Sequence, residues 1–84
     1  MRPVVLVGHC HMCPVHGMGK VVTGTSGVII GGRAAARIGD VTSCGAVITS
    51  GSVSQFEGAG IARQGDTTSH GGTLVEGDSG WLLD

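Results

Sequence analysis

Ten consecutive residues, Gly8-His-Cys-His-Met-Cys-Pro-Val-His-Gly17, hold two of the three cysteines and three of the four histidines of an 84-residue chain. Thiolate sulfur and imidazole nitrogen are the donors that four-coordinate zinc sites use most, so metal binding is the first chemistry this stretch suggests. The other cysteine, Cys44, and the other histidine, His70, lie far along the chain, each in a short echo of the same stretch. Catalytic readings of these residues fail on context. A Cys13–His16 dyad would need an oxyanion site, and the chain has no Asn to help build one. Cys10-His-Met-Cys13 has no βαβ pattern around it, as a redox CxxC would. Gly77-Asp-Ser-Gly80 stands near the end of a chain too short for a two-barrel protease, and Gly17-Met-Gly-Lys20 lacks the first glycine of a P-loop. The chain is not expected to be an enzyme.

The elements that position the donors follow from an internal repeat. Val21–Gly45 and Val47–Gly71 align at an offset of 26 without a gap, with Arg37/Arg63, Gly39/Gly65, Asp40/Asp66, Thr42/Thr68, Ser43/Ser69 and Gly45/Gly71 identical. In this frame Cys44 falls on His70. The chain ends supply a third copy in two pieces: Met1–His9 lies over Gly32–Asp40, and Thr73–Ser79 over Val47–Val53. A split copy implies termini that meet, so the sequence predicts a closed, pseudo-threefold body rather than an open solenoid.

Three equivalent loops then converge on one axis, each bringing one ligand-type side chain four residues after Gly-His or Gly-Asp: His9 leads to Cys13, Asp40 to Cys44 and Asp66 to His70. The fourth donor of a tetrahedral site is sought in the longer first loop. Cys13-Pro-Val-His16 suits a tight turn around one ion, with Cys10 and His11 as competitors. The expected ligands are Cys13, His16, Cys44 and His70, around a structural zinc. His9, Cys10 and His11 otherwise read as exposed loop residues. Asp40 and Asp66 read as turn formers bonding N–H groups two residues on, and Arg37 and Arg63 as a solvated face or as partners of loop carbonyls.

Composition agrees with many short strands. Glycine accounts for 17 residues, aromatic side chains for 2% and Pro for only 2 residues, and the apolar residues are mostly small. Val28–Ile30 and Ala34–Ile38, broken by Gly31-Gly32, read as a hairpin turning on glycines. Helical periodicity is absent apart from a turn or so near Arg33–Ile38 or the C-terminus, so the fold class is all-β, as one domain over residues 1–84. Trp81-Leu-Leu83 is either a last strand packed on the body or apolar surface at its base. A net charge of −1 with 13% charged residues offers no basic stripe for nucleic acid. There is no apolar run of membrane-spanning length and no secretory leader at the N-terminus, so the chain is expected in the cytoplasm.

The recurring Arg-x-x-x-Arg-Ile-Gly-Asp-x-x-x-Cys-Gly phrase, with Gly-Ser-Val and Cys-Pro-x-His-Gly, resembles the PAAR-repeat (proline–alanine–alanine–arginine) proteins. The signature stands here as Arg2-Pro3-Val4-Val5-Leu6, Arg33-Ala34-Ala35-Ala36-Arg37 and Gly60-Ile61-Ala62-Arg63, with the proline replaced in two copies and the last arginine in the first. The resemblance implies a small cone of short β-hairpins whose base caps the trimeric VgrG spike of bacterial type VI secretion. A metal at the apex would be held by Cys13, His16, Cys44 and His70. It further implies delivery out of the cell with the spike, transient contact with a target membrane, and a secreted effector as a further partner. The competing readings are a stand-alone zinc-binding interaction module and a small thiol enzyme.

Overall fold

Strands rather than helices form because the chain alternates small apolar and polar residues and is punctuated by glycines that only turns accommodate. The computed structural model describes residues 2–15 and 17–83, and it is all-β with no helix among them. His16, one of the expected ligands, lies outside the described residues. The strands are β1 (Arg2–Val4), β2 (Cys10–Cys13), β3 (Gly17–Lys20), β4 (Thr25–Ile30), β5 (Arg33–Ala35), β6 (Gln55–Phe56), β7 (Ala59–Gly60), β8 (Thr73–Leu74) and β9 (Asp78–Leu83). All pair antiparallel, as β4–β5, β6–β7, β1–β9 and the triple β3–β2–β8.

The first hairpin turns on Gly31 and Gly32, with φ of 60° and 82°, and the second on Glu57 and Gly58, with φ of 55° and 83°. Positive φ at both central residues is the turn whose twist matches paired strands. The third hairpin has no turn, since β9 and β1 come from opposite ends of the chain with Arg2 opposite Leu83. The termini therefore meet, as the split copy requires. Trp81 packs partly buried against the inner apolar cluster and Leu83 is buried, so this segment is a last strand of the body.

Backbone hydrogen bonds close the pseudo-threefold frame. Val5 N–H donates to Ala62 C=O (3.0 Å), Ala62 N–H to Ala36 C=O (2.9 Å), and Ala36 N–H to Val5 C=O (2.9 Å). Around this ring the triplets Val5, Ala36, Ala62 and Val21, Ile48, Leu74 form a core in which every member is at most 1% exposed. The small side chains of the first triplet are what lets three backbones approach each other so closely. A second cluster of Val4, Leu6, Ala35, Ile61 and Leu83 lies under the hairpins with Val28, Ile30, Phe56 and Trp81. The body measures 29 × 22 × 22 Å.

The gapless alignment of the copies needs one correction. Gly8, Gly39 and Gly65 donate equivalent bonds to Val21, Ile48 and Leu74, so Val21 corresponds to Ile48 at an offset of 27, not to Val47. Thr23 likewise corresponds to Ser50, each hydroxyl bonding an Asp Oδ1. The difference lies in the bulged stretch: four positions separate Thr25, opposite Ala35, from Ile29, opposite Ala34, whereas three separate Ser52, bonded to Ile61, from Gln55, opposite Gly60. A bulge absorbs such a difference and leaves the pairing beyond it intact, so the offset returns to 26 before Arg37/Arg63. The aspartates need another correction. Asp40 Oδ2 accepts the N–H of Arg37 (2.7 Å) and Asp66 Oδ2 that of Arg63 (2.6 Å), three residues back rather than two ahead. Neither arginine forms a solvated face. Arg37 bonds the Phe56 carbonyl (3.1 Å) and Arg63 clasps Asp66 through Nε and Nη2.

In the first copy His9 takes the place of those aspartates. Its Nδ1 accepts the N–H of Leu6 at 2.9 Å, and the residue is 5% exposed, so it is not the exposed loop residue its sequence context suggests. Burial, and then the neighbouring Arg33 guanidinium, push its pKa below the usual histidine range. The folded state thus refuses a proton that the unfolded chain accepts below about pH 6.5, and stability falls as pH drops through that value. His9→Asp restores the residue of the other two copies. It is expected to flatten the loss of thermal midpoint between neutral pH and pH 5 relative to the parent, measured by thermal melts across that range.

Candidate metal centre

Beyond the Val21, Ile48, Leu74 layer come two further triplets. His11 pairs with Leu74 across β2–β8, Thr42 bridges to Val21 and Thr68 to Ile48, so His11, Thr42 and Thr68 form the next ring. All three are buried, at 0%, 2% and 4% exposure. Two residues further along each segment come Cys13, Cys44 and His70. In β2 this spacing is strand alternation, because residues i and i+2 share a face: His11 and Cys13 point inward while Met12 is exposed.

Tight turns set the other two donors. Gly45 N–H donates to Thr42 C=O and Gly71 N–H to Thr68 C=O, both at 3.0 Å, and the two glycines have φ of 83° and 76°. The structure brings Cys13, Cys44 and His70 together: Cys13 Sγ and Cys44 Sγ lie 3.7 and 3.8 Å from the same nitrogen, His70 Nδ1. With Zn–S near 2.3 Å and Zn–N near 2.0–2.1 Å, the sulfur–nitrogen edge of a tetrahedral site is about 3.6 Å, so these separations fit one ion. A ring nitrogen of His11 lies within 4.8 Å of both sulfurs, and this His/Cys group can hold a metal ion.

Electrostatics favour the ligating forms. The Thr42 hydroxyl, 3.3 Å from Cys44 Sγ, together with the Ala46 amide and then His70 and Cys13, brings the Cys44 thiol down to about 6. Burial, and then the proximity of His70, keep His11 neutral by lowering its pKa. Cys10 differs. Its thiol bonds the Glu76 carboxylate, which raises its pKa, while its N–H donates to Glu76 Oε1 at 2.8 Å. Reactivity follows the thiolate fraction, so the folded state activates Cys44 and damps Cys10, a contrast that unfolding on metal loss is expected to erase.

The inward position of His11 is the feature that reading the loop as exposed misses. The signal was present in the alternation of Cys10-His11-Met12-Cys13, which puts His11 and Cys13 on one face whenever the segment is a strand. Gly72 makes the room: a Cβ there would come within 2.7 Å of His11 Nε2.

Short antiparallel strands closed around a pseudo-threefold axis, with a cysteine–histidine cluster able to hold a metal ion where three segments meet, define a small all-β module. The family model for the PAAR motif matches residues 1–50, more than half of the chain, and the protein belongs to the PAAR-motif family, which is structural rather than catalytic. No curated protein matches the chain.

Proposed function

We propose that this protein is the metal-stabilised tip of a type VI secretion spike, seated by its hairpin end on a trimeric VgrG-type protein. The observation that carries the reading is the closed ring of backbone hydrogen bonds among Val5, Ala36 and Ala62. It gives a single chain three nearly equivalent sides, and only such a chain presents similar edges to all three subunits of a trimer. The hairpin strands also offer apolar contact: Ile29 in β4 and Leu82 in β9 stand opposite Ala34 and Pro3, the same place in two of the three copies, and both are exposed.

The ion is zinc, held by Cys13, Cys44 and His70 with a fourth donor from the first loop, where the Cys-Pro-Val-His spacing nominates His16 and His11 competes with it for the same place. Bound there, zinc cross-links three segments distant in sequence and supplies folding free energy rather than chemistry. A rigid apex transmits force into a target membrane without deforming. Before firing the protein resides in the cytoplasm, and it leaves the cell on the spike, adapting an effector where one is carried. The test is to mix zinc-loaded protein with the VgrG trimer and measure the mass of the complex. One chain per trimer is expected, and loss of binding when Ile29 and Leu82 are both changed to Asp. A zinc-loaded, folded protein that never joins the trimer would instead leave a stand-alone metal module.

A further inference from the structure

The other two copies of the repeat place threonine, Thr42 and Thr68, where the first copy places His11. An imidazole is larger than a threonine side chain and brings a second nitrogen. One ring nitrogen, Nε2, bonds Thr68 Oγ1 at 3.2 Å. The other, Nδ1, is buried and has no hydrogen-bond partner, although a buried polar atom without one is costly. The same ring is within 4.8 Å of Cys13 Sγ and Cys44 Sγ. Nothing about packing calls for a histidine there, since threonine fills the equivalent place twice.

We propose that His11 is a ligand of the metal, reaching the ion through Nδ1 from the interior of the body. The inference rests on the metal reading above. It makes β2 a two-donor strand, with His11 and Cys13 on one face, and it gives the orphaned nitrogen its partner. The Nε2–Thr68 bond then holds the ring in orientation, as the second nitrogen of metal-bound histidines is usually held.

The experiment loads the wild-type protein with an NMR-active cadmium isotope and records a cadmium–proton correlation spectrum, in which only ring protons of ligating histidines and β-protons of ligating cysteines appear. Signals from Cys13, Cys44, His70 and His11 are expected, and His16 is read separately in the same spectrum. His11→Thr installs the residue of the other copies, so the fold is kept. It should remove one histidine signal and weaken metal affinity by more than the roughly 10–100-fold that loss of an outer-shell partner costs. Cadmium coupled to Cys13, Cys44 and His70 but not to His11 overturns this inference alone. A protein that takes up no cadmium overturns the metal reading with it.

Discussion

A strong chelator is expected to abolish the cooperative thermal transition of the protein, not merely to shift it. An 84-residue chain buries only about 60–65% of its unfolded surface, and the core here is built from small residues, three of the central six being Val5, Ala36 and Ala62. A core of this kind supplies no more than about 3–5 kcal/mol. Structural zinc in small modules contributes about 10 kcal/mol or more, so removing it leaves nothing to offset chain entropy. The β4–β5 and β6–β7 hairpins are local enough to keep residual pairing, but the segments carrying Cys13, Cys44 and His70 would separate. Circular dichroism during a melt, with and without chelator, and recovery on adding back zinc, reads the effect. A chelated protein that keeps its midpoint within a few degrees would show that packing alone holds the apex.

Ile48→Ala carries the second large effect. Ile48 is fully buried in the central layer with Val21 and Leu74, and truncating such a side chain costs about 2–5 kcal/mol because the cavity closes only partly. On a domain of this size each kcal/mol moves the midpoint by about 4–8 °C, so a fall of at least about 8 °C is expected. Leu74→Ala, at the equivalent place, should match it, and Val21→Ala should cost less because fewer methyl groups are lost. Thermal melts of the three variants give the comparison. An effect confined to one of them would mean that the copies do not share the core equally.

Much of this architecture is legible in the residues. Repeated Arg-x-Gly-Asp phrases and a split third copy announce a closed body, and Gly31-Gly32 announces its hairpin. The convergence of Cys13, Cys44 and His70 follows from the repeat frame, because symmetry places equivalent side chains on the axis wherever it runs. What escapes is what symmetry does not govern. The β4 bulge shifts the frame by one residue, and Thr23 and Thr49 match in the sequence by coincidence while Thr23 and Ser50 do the same work. His9 reads as a loop residue because histidine seldom replaces a turn aspartate, yet its Nδ1 accepts the same kind of N–H. His11 is named from the sequence only as a competing fourth donor, and its burial escapes because a segment dense in potential ligands looks like a loop, whereas pairing with both β3 and β8 makes it a strand with an inward face. Glu57 at φ 55° is likewise invisible in composition, since its turn geometry is set by the strands it joins.

Everything in this reading depends on two sulfurs and an imidazole from three separated segments meeting at one metal ion, and counting metal and free thiols together tests that directly. Protein stripped of metal and then titrated with zinc should bind one equivalent per chain. Of its three cysteines, Cys13 and Cys44 should become protected from a thiol reagent at that point while Cys10 stays available. Protein that takes up no zinc, or in which all three thiols stay equally reactive when zinc is added, would contradict the apex site and the spike-tip role built on it.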